Sequence, residues 1–201
     1  NGNTILTAGD VNVTGTAEFA VSKYDRDLGT ITDATLNSYA FNLQGGFSVG
    51  TEIDMNLAGA IAVVTVNDNA DNAIYTAIKV QDANVTASTG TDTFGLDGQL
   101  DIDYYHSNSA ADGYDRLDWT NAFEGGVIWN PGANLPTPAN LDIDFTSDMH
   151  YRVAGTVSGD QNNGNTILTA GDVNVTGTAE FAVSKYDRDL GTITDATLNS
   201  Y

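Results

Sequence analysis

NGNTILTAGDVNVTGTAEFAVSKYDRDLGTITDATLNSY fills residues 1–39 and returns, letter for letter, as residues 163–201. Most surface substitutions cost little, so two old copies would have drifted apart. The identity therefore marks either a young tandem array with a period of 162 residues or the start of a unit placed again after its end. On both accounts residues 1–162 form one complete repeat unit. Residues 163–201 then begin the next unit or act as a donor-strand segment. Self-similarity at a fixed period is the signature of arrays and fibres.

Inside that stretch the period is two. Val11, Val13, Ala17, Phe19 and Val21 share one face, with Asn12, Thr14, Thr16, Glu18 and Ser22 on the other. One apolar face at period two predicts a half-buried strand with that face inward. Residues 24–29 (YDRDLG) read as a turn, because Asp bonds local backbone and Gly accepts positive φ. Alternation resumes with Tyr39, Phe41 and Leu43, and after Gly45-Gly46 it places Phe47, Val49, Ile53, Met55 and Leu57 inward.

Working outward, residues 60–66 are short, apolar and β-branched, and residues 67–72 are a loop by composition. Ile74, Ile78 and Val80 share a side, and Phe94, Leu96, Leu100, Ile102 and Tyr104 alternate with Asp97, Gln99, Asp101 and Asp103. Residues 107–115 read as a loop, and Trp119, Phe123, Val127, Ile128 and Trp129 form an aromatic-rich region. Pro131, Pro136 and Pro138 fall in one connection, where a missing donor does no harm. The last strand of the unit is expected over 141–157, with Leu141, Ile143, Phe145, Met149, Tyr151 and Val153 inward. No stretch carries a 3.6-residue period. The expected fold is all-β: an antiparallel β-sandwich, jelly-roll or immunoglobulin-like, which a strand from the neighbouring unit can complete.

The chain has 27 acidic against 7 basic residues, a net charge of −20, and no cysteine. That balance excludes nucleic-acid binders, which need a basic footprint, and leaves two uses for the carboxylates. They keep the surface soluble, or some of them collect Ca²⁺, a hard cation that takes oxygen ligands. No apolar run approaches the roughly 20 residues of a membrane-spanning helix, so membrane insertion is not expected. Without cysteine, disulfide and thiolate chemistry are excluded.

Residues 23–32, KYDRDLGTIT, followed by an alternating strand, resemble the K-F-D-x-x-L-G-T-L-T opening of the choice-of-anchor domains. Those are secreted bacterial surface domains that occur with alternative C-terminal sorting signals. The likeness implies an extracellular β-sandwich on or near the cell surface, and it brings no catalytic residues with it.

The residues that could carry chemistry are scattered. His106 and His150 have neither a shared context nor metal-ligand spacing, and no G-x-S-x-G elbow is present. No enzyme is expected. The calcium candidates are Asp25 with Asp27, Asp68 with Asp71, and Asp112 with Asp115 and Asp118, each set two or three residues apart. None has the EF-hand register, and aspartates that cap turns through their own backbone are the ordinary alternative. Asn12, Asn84 and Asn174 head N-x-T triplets, a weak glycosylation pattern. Trp119 and Trp129 are either sugar-stacking platforms or core.

The reading of the sequence is therefore a structural subunit or tandem repeat of an extracellular filament, stalk or surface adhesin, whose partners are identical neighbouring units. Residues 166–185 are expected to add to a sheet of the preceding unit, with Ile167, Leu168, Val173, Val175, Phe181 and Val183 as its plugs. The alternative is a Ca²⁺- or carbohydrate-binding module of a secreted protein.

Overall fold

A computed structural model describes residues 3–9, 11–29, 31–49, 53–89, 94–96, 98–123, 126–159, 166–170, 172–190 and 193–201. The described residues are all-β, with a 3-10 turn at Pro131–Asn134. Its strands are β1 (Thr4–Ala8), β2 (Val11–Leu28), β3 (Ile31–Val49), β4 (Ile53–Asp68), β5 (Ile74–Thr89), β6 (Phe94–Leu96), β7 (Gly98–Ala110), β8 (Met149–Gly159), β9 (Thr166–Ala170), β10 (Val173–Thr176), β11 (Thr178–Leu190) and β12 (Ile193–Ser200). Nine of them form one antiparallel sheet in the order β1-β2-β3-β4-β5-β7-β8-β11-β12. The other three form a small sheet in the order β10-β9-β6.

The strands are longer than the punctuation in the sequence suggests. β2 runs through Asp25 and Asp27 to Leu28, and β3 runs through Gly45-Gly46 to Val49. Their shared ladder explains this. From Val11↔Val49 to Arg26↔Ala34 the pairing is unbroken, and each turn-forming side chain finds a partner inside the hairpin. Asp25 Oδ1 accepts from Thr35 Oγ1 at 2.9 Å and Asp27 Oδ1 from the Asp33 amide at 3.0 Å. A continuous ladder of main-chain hydrogen bonds outweighs the local turn preference of two aspartates.

The layer that faces the large sheet is the irregular segment 111–148, not a second large sheet. The expected strand over 141–157 begins only at Met149, and before it Ile143 makes one isolated bridge to Trp129. Prolines and bulky rings suit this segment to filling space. Trp119, Leu135, Leu141, Ile143 and Phe145 are buried against Ala34, Leu36, Ala40, Ala62, Val64 and Ala77 of the sheet. Small residues on the strands leave room for large ones opposite, and so the layer packs to interior density. Polar anchors fix it from several strands. Trp129 Nε1 donates to Ser38 Oγ at 3.1 Å, Lys79 Nζ to the Asp142 carbonyl at 2.8 Å, and Trp119 Nε1 to Asn108 Oδ1 at 3.0 Å.

This packing corrects one expectation. The alternation is as read, but in β2 and β3 the covered face is the one with the smaller residues. Leu36 and Ala40 are fully buried, whereas Tyr39, Phe19 and Val21 lie on the uncovered face, Phe19 at 68% and Val21 at 60% exposure. Register carries that face across the sheet as the row Phe19–Phe41–Ile61–Val80–Tyr105–Val153–Val183. Period two defines two faces. It does not say which one the remote segment 111–148 will choose.

Candidate functional site

The site with the clearest construction is the joint between β8 and the second copy. On one side β8 pairs with β7, and on the other it pairs with β11 from Thr178↔Ser158 to Lys185↔Tyr151. Only the second copy makes β8 an interior strand. Phe181 stands opposite Gly155, and its ring lies where a side chain at 155 would project: a Cβ built there would sit 3.0 Å from the ring and would also overlap the Asp101 carbonyl. Glycine at 155 is thus what lets Phe181 lie across β8. Val183 stands opposite Val153, and the Gly159 amide donates to the Gly177 carbonyl at 3.1 Å.

Side chains lock the same joint. Asp187 Oδ1 accepts from His150 Nε2 at 2.8 Å and from Thr197 Oγ1 at 3.2 Å, and Asp187 Oδ2 pairs with Arg116 Nη2. Arg116 is itself aimed by its Nε, which donates to the Ser147 carbonyl at 3.0 Å. Arg116 Nη1 lies 3.3 Å from His150 Nδ1, a contact in which a guanidinium can only donate. The His150 hydrogen bond, then those from Arg116, outweigh burial and hold the Asp187 carboxyl down at about 2. In the first copy the equivalent Asp25 meets Thr35, the hydroxyl equivalent to Thr197, and no arginine or histidine among the described residues.

The two copies also meet one opening. A cleft of about 670 Å³ is lined by Leu28 and Gly29 of the first copy, by Tyr114 and Arg116 of the irregular segment, and by Asp187 of the second. The first copy is held to the same segment. Glu18 accepts from the Thr137 amide at 3.0 Å and the Thr137 hydroxyl at 2.9 Å, Arg26 lies 5.6 Å from the Phe123 ring centroid, and Tyr24 meets Trp129 edge-on at 5.4 Å.

The strand-exchange residues named from the sequence divide into two groups. Phe181 and Val183 lie in the joint with β8. The others belong to the small sheet: Ile167 and Leu168 are on β9, which pairs with β6 through Leu168↔Leu96, while Val173 and Val175 face β9 itself. Val175 is half-exposed. The second copy thus pairs with residues before it through Thr178–Tyr186 and Leu168–Ala170, not through a single strand over 166–185.

The calcium candidates do not converge. Asp25 and Asp27 are on a strand, against the turn expected for them. Asp68 is buried and caps its own turn, accepting from the Ala70 and Asp71 amides at 3.0 and 3.2 Å. The Asp71 carbonyl accepts from Tyr114 Oη at 2.8 Å, and Asp112 and Asp115 are exposed. Burial would raise the Asp118 carboxyl, but hydrogen bonds from Thr120 and Asn121 bring it below its usual value. Among the described residues no group of three or more His, Cys, Asp or Glu side chains is placed to hold a metal ion.

Trp119 is fully buried, so the platform reading of that residue is overturned, and Trp129, partly buried, stacks on Phe123 against the same core. His150 is half-buried in the joint, not a free surface histidine. His106 is buried on Phe145, with its Nδ1 accepting from Arg152 Nε at 2.7 Å. Burial first, then the charges of Arg152 and Lys79, push the imidazole down to about 4. No sequence spacing pairs Arg116 with Asp187, and the identical residue Asp25 carries only the Asp-x-Asp pattern read for calcium. No helix among the described residues is long and apolar enough to cross a membrane.

Comparisons of this chain with protein-family models, with curated proteins and with solved structures find no match.

Proposed function

We propose that the chain is a structural repeat of an extracellular filament, stalk or surface adhesin, in which the start of each unit covers the open edge of the unit before it. The role is mechanical, not catalytic. Its working form is a two-layer, sandwich-like module, a long-stranded sheet over one irregular layer. One observation carries the reading. Residues 178–185 sit as an inner strand on β8, while the identical residues 16–23, at the far side of the sheet, have no strand on their second edge among the described residues. The same edge is therefore built to be filled by β8 of a preceding unit.

Repeating the β8–β11 pairing with the 162-residue period joins units in one antiparallel sheet. Six strands recur per unit, namely β2, β3, β4, β5, β7 and β8. The contact is heterologous, so it propagates as an open filament. Main-chain bonds supply affinity, while Phe181, Val183 and Asp187 set register. The acidic surface keeps such filaments dispersed outside the cell.

The test is a series of chains carrying one, two or three additional 162-residue units. Length measured by electron microscopy and small-angle scattering should grow linearly with unit number. The melting temperature should rise with each unit, as nearest-neighbour coupling demands. Jointed beads with a melting temperature independent of unit number would end this reading.

A further inference from the structure

We infer that the open edge of β2, with Asp25 beside it, is a binding site for β8 and the Arg116–His150 pair of a second copy of this chain. The inference rests on the proposed joint and names the partner for its unfilled half. The pairing expected is the one seen within the chain, transposed by 162 residues. It runs from Thr16 opposite Ser158 through Phe19 opposite Gly155 to Lys23 opposite Tyr151, with Asp25 taking the place of Asp187. The receiving strand from Thr16 to Asp25 already has the course of its copy, while β1 lies on β2 in the large sheet where its copy β9 pairs with β6 instead. Phe19 and Val21 are largely exposed on β2, and the β2–β3 register from Ser22↔Ser38 to Leu28↔Ile31 is repeated by β11 and β12 from Ser184↔Ser200 to Leu190↔Ile193. β1 and Asn3 cover only the far end of the edge, from Val11 to Gly15.

Filling this edge with β8 of the same unit would close six strands into a barrel. Even eight strands leave an interior that holds little more than their own side chains or one small ligand. Here that side of the sheet carries Trp119, Phe123, Trp129, Leu141 and Phe145, packed as a layer. Closure would have to expel the core, so the partner is another molecule. In the chain as it stands β8 is covered by residues 178–186, and assembly requires that cover to leave.

The experiment uses the full chain carrying Ala182→Pro and Val183→Pro. These positions pair with β8 alone, since β12 begins to pair only at Ser184. Two adjacent prolines remove the ladder donor on that side and bare β8. By light scattering the parent chain should stay monomeric, and the variant should form oligomers that grow with concentration. A peptide of residues 173–190, added in trans, should cap β8 and return the variant to monomers. Adding Asp25→Asn should raise the concentration needed for assembly about threefold to tenfold, the range of a partly exposed charge-assisted contact. Asp187→Arg, a milder way to loosen the cover against Arg116, should shift the chain in the same direction as the prolines.

A variant that stays monomeric while the peptide binds it one to one would leave the joint standing and overturn the β2 site. Oligomers that the peptide does not dissolve would overturn it as non-specific. A peptide that does not bind the bared chain at all would take down the joint and this inference together.

Discussion

Residues 1–39 and 163–201 are the same sequence in two settings, and their differences isolate tertiary context from propensity. Local structure survives the change. The first hairpin pairs Leu6↔Val13 and Ala8↔Val11 in one copy and Leu168↔Val175 and Ala170↔Val173 in the other, and the second hairpin keeps its register as well. What changes is exposure, and it changes in opposite directions. In the first copy β3 is the covered strand: Leu36 is fully buried while Phe19 is 68% exposed. In the second copy β11 is the covered strand: Phe181 is half-buried on β8, while Leu198, the equivalent of Leu36, is 45% exposed. The hairpin is thus a unit that folds alike anywhere and is stabilised on whichever side it meets a neighbour.

The strands also differ at one hinge. β2 runs on from Val11 to Leu28, whereas its copy breaks at Gly177, with φ at +150°, into β10 and β11 in different sheets. Glycine accepts that φ without strain, so the repeat carries in its own sequence the freedom to serve one sheet or two.

Equivalent substitutions in the two copies should therefore have unequal effects. The largest difference is expected at the leucines. Leu36→Ala should cost about 2–5 kcal/mol, a core truncation with its cavity, and Leu198→Ala about 0.5 kcal/mol or less, as at a surface site. Denaturant melts of the two variants measure this directly, and similar losses would refute the assigned burial.

Next come the aspartates. Asp187→Asn leaves Arg116 facing a neutral amide and should weaken docking of the tail by about 1 kcal/mol, discounted for partial exposure. Asp25→Asn in the same chain should lie within about 0.5 kcal/mol of the parent. The pair sharpens the comparison, because any effect common to both belongs to the hairpin and not to the joint.

Acid should separate core from joint. His106 is held down to about 4 from 6.5, so the unfolded chain binds that proton first as the pH falls. The contribution of neutral His106 is complete above pH 6.5 and is lost between 6.5 and about 4, roughly 3 kcal/mol at 1.36 kcal/mol per pH unit. Asp187 is held at about 2 from 3.8, so its contribution is complete above pH 3.8 and fades only below it. Stability measured against pH should decline first through the histidine window. His106→Gln, which keeps an acceptor for Arg152, should flatten that first limb and leave the lower one.

The smallest effect expected is that of a chelator. The carboxylates of Asp25, Asp27, Asp68 and Asp118 already accept hydrogen bonds from neighbouring hydroxyls, amides or backbone. Melting with and without chelator should agree within about 1 °C. A larger drop would restore calcium through ligand linkage.

Much of this organisation is legible in the residues. The repeat is visible at once, and the period-two pattern places the strands, because side-chain direction in a strand follows sequence parity. The choice of face is not legible. Tyr39 and Phe41 look like core beside Ala34 and Ala40, but segment 111–148 brings bulky rings that fit only over small residues. Turn chemistry at Asp25 and Asp27 yields to the hairpin ladder, in which both aspartates find partners, at Thr35 and Asp33. The Arg116–His150–Asp187 cluster joins residues 34 to 71 positions apart, and no spacing rule announces it.

The central claim, that the second copy and not the first lies on β8, reduces to one measurement. The chain has no cysteine, so a designed pair reports without background. Ala154 and Ala182 stand directly opposite in the β8–β11 ladder, at the separation an interstrand disulfide can span. Two chains should be oxidised as dilute monomers, one with Ala154→Cys and Ala182→Cys, the other with Ala154→Cys and Ala20→Cys at the identical position of the first copy. The account predicts rapid intramolecular cross-linking in the first chain and none in the second. Cross-linking of the second chain within a monomer, or its absence in the first, would contradict it.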